Sequence, residues 1–451
     1  MSIIEYVNGY FNIKRLSPLP NTALFLVGSN PLPGYTAVMA LKPQQILLLG
    51  TSKVESIINC LKTRLSQDFD LNDVLSNTCN PADSNDIRNK TECLLSQQPD
   101  KQVWLFYTAG TKSMSVHGHE AWKEYVGEGH FHWAAYLSSD GPKLWFDKIS
   151  ASFPLYPNDR YAVPEPVLNN IIHIHQIQAC NAEKPYRDFY LVERYSSWAE
   201  KIHDFIFSAQ DGNRMPQYLA LLPPTYIEKV PYNFKDHDLK TTGDICCLLR
   251  DNFADDSLHA KFSFEEWKTS LNIEEPARQT IDNIGEWLQN TTKPSNAKKR
   301  QEWRINILKW MATEWLETWV ARHLADSNFF HEIHESLEYK IQSHHNANAK
   351  AEVDVCGMRG HTPFVFSCTV DDSSSLGKHK LFEVRLRANQ LGGEHARSAV
   401  VCLSNTPRNT EDELNQGWTG YGIIKVFGLD DIRNSDTFKE RVGDWIRNLE
   451  Q

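Results

Sequence analysis

Apolar residues in this chain gather into short continuous runs, broken by polar and small residues, and the runs alternate with segments of helical spacing. Residues 22–28, TALFLVG, form the first run, which ends in Gly28-Ser29-Asn30-Pro31-Leu32-Pro33-Gly34. A helix-compatible segment from Tyr35 to Leu41 leads to a second run at 45–51, QILLLGT. From Ser52 to Leu65, Val54, Ile57, Ile58, Leu61 and Leu65 recur at helical spacing, and Val103 to Tyr107 make a third run. Short runs rich in branched and aromatic residues read as buried strands. Strand, helix, strand, helix, strand is the alternation of a doubly wound α/β domain. Residues 130–148 predict two strands around the Asp140-Gly141-Pro142 turn, and the proline-bearing stretch 151–190 closes a first domain, 1–190.

From Phe189 to Asn296 helical and loop signals mix without apolar alternation, so 191–300 reads as a helical connecting segment that ends in the basic stretch NTTKPSNAKKR at 290–300. A third region, 301–451, opens with a long helix from Gln301 to about Leu324. Weak alternation follows from Glu338 to Gln342, then strands at 351–357 and 363–370. A helix carrying Phe382, Val384, Leu386 and Leu391 runs into Gly392-Gly393, and a buried strand spans Ala399 to Leu403. Together these predict a small mixed α/β core. No internal repeat is evident.

Composition narrows the class. A chain of 451 residues, 41% hydrophobic and 23% charged, is a globular protein of two or three domains. No run approaches the roughly 18 apolar residues of a membrane span, and the first residues lack a basic start followed by an apolar block. Nine cysteines without a CxxC pair suit neither zinc nor a disulfide framework. A cytoplasmic protein with no membrane partner is expected. The net charge of −10 argues against nucleic-acid binding by the whole surface and leaves room for a local basic groove.

The run at 103–107 breaks at Thr108-Ala109-Gly110-Thr111-Lys112, and a helix starting at Thr111 or Ser113 would bring hydroxyls to its own N-terminus. A strand end, a small-residue turn and a helix N-terminus make a cradle for phosphate, because free N–H groups and the helix dipole converge there. An ordinary βα turn has the same spacing, and the pattern alone leaves both readings open.

Two sets of residues together resemble one family. VGSNPLPGYTAVMALKP (27–43) and FYTAGTKSM (106–114) look like the two ligand-facing loops of a CARF domain, the sensor of cyclic oligoadenylates in type III CRISPR systems. TEWLETWVARHL (313–324), AEVDV (351–355), PFVFSC (363–368) and LFEVRLRANQLGGEHARSAVVCLS (381–404) look like the restriction-endonuclease-like half of CRISPR ancillary nucleases. The resemblance implies a Rossmann-like CARF domain (1–190) and a PD-(D/E)xK effector domain (301–451). It implies a homodimer that binds one cyclic tetra-adenylate on its two-fold axis and thereby activates a metal-dependent endonuclease against DNA, RNA or both in antiviral defence. Ligand contacts would come from Gly28, Ser29, Asn30, Pro31, Leu32, Pro33, Thr51, Thr108, Ala109, Gly110, Thr111, Lys112 and Met114, with Asn30 hydrogen-bonding ribose or base. Ala109 stands where the family more often has glycine, and is tolerable only if its φ is negative.

For catalysis the resemblance implies magnesium or manganese held by Asp354 and Glu317. Ser367 and Thr369 occupy the positions where the wider superfamily has a carboxylate and a lysine. Losing one preorganised group commonly costs on the order of a hundred- to a thousandfold in rate. Lys378, Lys380 and Glu383 are candidates to restore what is missing. A silent nuclease-like domain that sequesters ligand or binds a partner is therefore the alternative, and cleavage of the cyclic ligand in the sensor pocket is a third.

Other residues carry less. The histidine pairs His117/His119, His130/His132, His173/His175 and His331/His334 have no third ligand at consistent spacing. Trp303, Trp310, Trp315 and Trp319 are expected to be core. Lys298, Lys299, Arg300, Arg385, Arg387 and Arg397 are open to two readings, a nucleic-acid groove or solvated charge.

Overall fold

A computed structural model describes residues 20–69, 71, 74–98, 102–127, 133–138, 143–147, 151–154, 166–179, 199–200, 202–204, 206–207, 313–341, 350–370, 374–409, 411–412 and 423–450. The chain divides into two compact units. One comprises Met1–Pro185, Leu324–Ser367 and Ser373–Gln451; the other comprises Tyr186–His323 and Cys368–Asp372. Nearly all of the predicted connecting segment, the 301–312 part of the long helix, the Asp140-Gly141-Pro142 turn, His130, His132, Trp303, Trp310, Lys298, Lys299 and Arg300 lie outside the described residues.

The first unit holds two sheets, save for Cys368 and Thr369 at the end of one strand, which fall in the second. The first contains β1 (Thr22–Leu26), β2 (Gln45–Thr51), β3 (Val74–Cys79), β4 (Val103–Phe106), β5 (Ala134–Leu137), β6 (Lys143–Phe146) and β7 (Ala151–Pro154), in the order β3-β2-β1-β4-β5-β6-β7. Strands β3 to β5 of that order run parallel, and β6 and β7 add antiparallel. The helices between them are α1 (Leu32–Leu41), α2 (Glu55–Phe69), α3 (Ser84–Leu95) and α4 (Lys112–Val126). Strands β1 and β4 are buried at every position, which is why they read as unbroken apolar runs. β3 does not, because it is the edge strand and four of its six residues keep some solvent exposure.

The second sheet runs β13-β12-β11-β10-β9-β8, from β8 (Ile177–Ala179), β9 (Glu332–Ile341), β10 (Lys350–Arg359), β11 (Thr362–Thr369), β12 (Arg397–Cys402) and β13 (Ile424–Phe427). Antiparallel pairing joins β8 to β9, β9 to β10 and β10 to β11, while β12 and β13 are parallel. The remaining helices are α5 (Leu168–Ile174), α6 (Trp315–Asp326), α7 (Ser374–Gly392) and α8 (Ser435–Glu450). The Trp445 ring of α8 meets Phe364 at 5.2 Å and Phe427 at 6.0 Å between centroids. Mixed α/β architecture in both halves agrees with the sequence expectation. β3, α3, β7, α5, β8, β13 and α8 are additions to it, and β8 enters the second sheet before residue 190. No described helix is long and apolar enough to cross a membrane.

In the second unit, Trp315 and Trp319 are fully buried, as expected of core residues. His203 stacks on Trp319 at 4.4 Å, and His323 meets the same indole edge-on at 4.5 Å.

Candidate functional site

Strand order locates the first site. From β1 the chain builds outward to β2 and β3, then returns across β1 to place β4 on its other side. Loops at such a crossover diverge to opposite faces of the sheet and leave a crevice at the carboxyl ends of the two strands. Because β1 and β4 are parallel with Phe25 opposite Phe106, the turns 27–31 and 107–111 emerge side by side. They touch main chain to main chain: a Cβ on Gly28 would lie 2.7 Å from the Gly110 amide nitrogen. Gly110 has φ +94°, a conformation that side chains avoid. Ala109 is not among the described residues with positive φ, so alanine is tolerated there.

Thr111 caps α4, its Oγ1 accepting from the Met114 N–H at 3.2 Å. Ser29, Gly110, Thr111 and Lys112 are exposed around this crevice. Leu32, Pro33, Thr51 and Met114 are buried beneath it, and Met114 packs against Gly110. Thr108 turns its hydroxyl to accept from the Leu137 N–H at 2.6 Å. The Tyr107 hydroxyl donates to Asp147 at 2.7 Å, and His119 lies 3.4 Å from the same carboxylate. Burial raises the Asp147 pKa, but the bonds from His119 and Tyr107 outweigh it and hold the group below its usual value. His117 pairs with Glu120 at 3.3 Å.

Asn30 is engaged from inside the protein. Its amide oxygen accepts from the Leu32 N–H at 3.1 Å and lies 3.2 Å from His175 Nε2. The same amide packs on Gly393, which has φ +61° and where a Cβ would come within 3.0 Å of Asn30 Oδ1. Gly393 follows α7 directly, so the turn after β1 and the end of α7 share a contact. Behind it lie three crowded histidines. Burial pushes His175 down to about 4 and His395 to about 3, and drives His361 well below the usual range.

The second site is an open cleft lined by Glu352, Asp354, Ser367, Lys380, Glu383 and Arg387. Residues two apart on a strand share a face, so Glu352 and Asp354 both project from one side of β10. The Val355–Phe366 pairing sets Ser367 beside Asp354, and the Ser367 hydroxyl donates to Asp354 Oδ2 at 3.0 Å. α7 contributes the rest: Lys380 Nζ lies 3.9 Å from Glu383, and Arg387 lies 3.7 Å from it. Glu317 and Thr369 belong to the second compact unit, while the whole cleft lining belongs to the first.

Two of the candidate groove arginines are structural. Arg397 is buried and donates to the carbonyls of Glu394, His395 and Ala396 at 3.1, 3.0 and 3.3 Å. Arg385 donates to the Ala396 carbonyl at 3.0 Å, and its burial lowers its pKa. Arg397 is shut away from solvent and Arg385 only partly exposed, and Arg387 alone of the three lines the cleft. A cluster that sequence spacing did not suggest forms in the second unit, where ligand atoms of Glu200, His203 and Asp204 lie within 4.8 Å of one another. His323 already holds Glu200 at 2.7 Å. None of the predicted histidine pairs forms such a group among the described residues.

No family model matches the sequence, and no curated protein matches it. Solved structures do. Protein VC1899 from Vibrio cholerae superposes with a TM-score of 0.61 at 12% identity, covering 95% of this chain and 98% of its own. Can2 from Sulfobacillus thermosulfidooxidans, solved in complex with cyclic tetra-adenylate, gives 0.56 at 13% identity, covering 94% of this chain and 99% of its own. From end to end, this chain therefore shares the fold of these two structures, a Rossmann-like sheet followed by a second mixed α/β sheet.

Proposed function

We propose that this protein is a type III CRISPR effector that binds cyclic oligoadenylate, most simply cyclic tetra-adenylate, at the crevice between the turns after β1 and β4 and then cuts nucleic acid. The observation that carries the sensing role is the main-chain contact of Gly28 with Gly110 at the sheet's crossover. It leaves peptide N–H groups, Ser29, Thr111 and Lys112 around one crevice, the chemistry that holds phosphate. Gly28, Asn30, Pro31, Leu32, Pro33, Thr51, Thr108, Ala109 and Met114 shape it. Can2, a fold relative bound to cyclic tetra-adenylate, supports the ligand class. A homodimer would double the crevice around a ring of phosphates.

In the effector half, Asp354 and Glu352 offer hard oxygen donors on one strand face, which fits magnesium or manganese. The metal, when bound, supplies a Lewis acid for the phosphoryl oxygen and an acidified water. A second reading is a silent effector domain. It is favoured by Ser367, which stands at the expected carboxylate position and donates to Asp354 instead of ligating.

Calorimetric titration with cyclic tetra-adenylate, followed by incubation with plasmid and single-stranded DNA and RNA in manganese, tests the proposal. Tight binding with ligand-dependent cleavage is expected. Tight binding without cleavage of any substrate would leave the silent reading, and no binding would sink the sensor assignment.

A further inference from the structure

The strand motif of the effector half lacks a carboxylate at 367 and a lysine at 369. The cleft nevertheless contains both groups, supplied from another element. Lys380 and Glu383 stand one turn apart on α7 and face the same cleft as Glu352, Asp354 and Ser367. We propose that α7 has taken over the missing half of the catalytic set, with Glu383 as the second carboxylate and Lys380 as the positive charge that steadies the attacking water. This rests on the nuclease reading above and names the residues that perform it.

Geometry favours these two over the other candidates. A helix presents residues three apart on one face, so Lys380 and Glu383 enter together, and Arg387 one turn later completes a charged row along the cleft wall. Glu383 is held by weak ion pairs, at 3.9 Å from Lys380 and 3.7 Å from Arg387, and remains half exposed. Exposed pairs of that length are worth roughly 0–1 kcal/mol, so a divalent cation competes with them at little cost. Among the described residues, Glu352, Asp354 and Glu383 do not gather their oxygens within 4.8 Å of one another. Glu383 pairs instead with the cations of its own helix, and a bound metal ion would replace them as its partner.

The chemistry balances as hydrolysis. Water adds its oxygen to phosphorus, the bond from phosphorus to the leaving nucleotide oxygen breaks, the proton shed by water passes to solvent, and the leaving oxygen takes one up. The Lys380 ammonium touches the incoming oxygen and a non-bridging phosphoryl oxygen, where negative charge grows, and is unchanged at the end. Ser367 orients Asp354 through its hydrogen bond and has no place in the reaction itself.

The test uses the full chain with cyclic tetra-adenylate, Mn²⁺ and the substrate that wild type cuts. Manganese titration followed by calorimetry should show affinity lowered about tenfold or more in Glu383→Gln and Asp354→Asn, and unchanged in Lys380→Met. Cleavage should fall about a hundredfold or more in Lys380→Met, recover in part in Lys380→Arg, and hold in Lys378→Met. Thermal melting matched to wild type shows that each variant is folded. Wild-type cleavage by Lys380→Met, or wild-type manganese affinity in Glu383→Gln, overturns the takeover by α7 and leaves the nuclease reading standing. A wild type that binds cyclic tetra-adenylate and cuts nothing overturns that reading, and the role of α7 with it.

Discussion

At the turns after β1 and β4 the groups proposed to hold ligand are peptide groups, placed where two glycines let backbones meet. In the cleft walled by β10, β11 and α7 they are side chains on regular elements, each able to be exchanged while its strand or helix stays in place. The two regions should therefore fail differently. A change in the crevice alters the path of the chain and with it every donor at once, whereas a change in the cleft removes one charge and leaves the rest.

The sharpest break is Asp354→Ala, expected to cut nuclease turnover by about a hundred- to a thousandfold while cyclic tetra-adenylate binds as before in calorimetry. Its counterpart is Gly28→Val. A Cβ there meets the Gly110 nitrogen at 2.7 Å, so the two turns must part. Losing two hydrogen bonds to a charged phosphate, each worth roughly 1.5–3 kcal/mol, should weaken ligand binding by about a hundredfold or more. If Gly28→Val bound normally, the crevice would not be the sensor.

Acid probes the contact that links the two regions. An unfolded histidine takes up its proton near pH 6.5, whereas His175 and His395 in the folded protein resist to about 4 and about 3, and His361 also titrates well below its usual value. As pH falls below about 6.5 the unfolded chain binds protons first. Stability is then lost down to about pH 4, at up to roughly 1.4 kcal/mol per pH unit for each histidine. Urea unfolding at pH 7 and pH 5 should show the drop, and equal midpoints would mean that these rings take up protons as readily in the folded protein as in the unfolded chain. Gly393→Ala should cost about 1–2 kcal/mol for its left-handed backbone, plus the crowding of Asn30, read as a lowered melting temperature. Smallest is Ser367→Ala: removing one hydrogen bond should cost about 1 kcal/mol and leave turnover within about threefold. A large loss of cleavage there would return Ser367 to the reaction.

Legibility in the sequence followed burial. β1, β2 and β4 were readable because central parallel strands are apolar throughout, and Thr111 was readable as a cap because hydroxyls announce helix starts. β3 was missed because an edge strand of the sequence VLSNTC has no apolar run to show. α8 had a readable stripe in Phe438, Val442, Trp445 and Ile446, which the expectation of a core ending at 403 passed over. At the cleft, Asp354 was legible from its strand, but Glu352 on the same face was overlooked. Arg385 and Arg397 could not be assigned from sequence, since the carbonyls they hold come together only in three dimensions.

The meeting of Gly28 and Gly110 bears on how such a crevice is inherited. Donors that belong to the peptide unit are the same whichever side chain a residue carries, so most positions lining the turns can drift freely while the two glycines hold the path. A pocket of that kind passes between distant chains as a shape and leaves few letters behind.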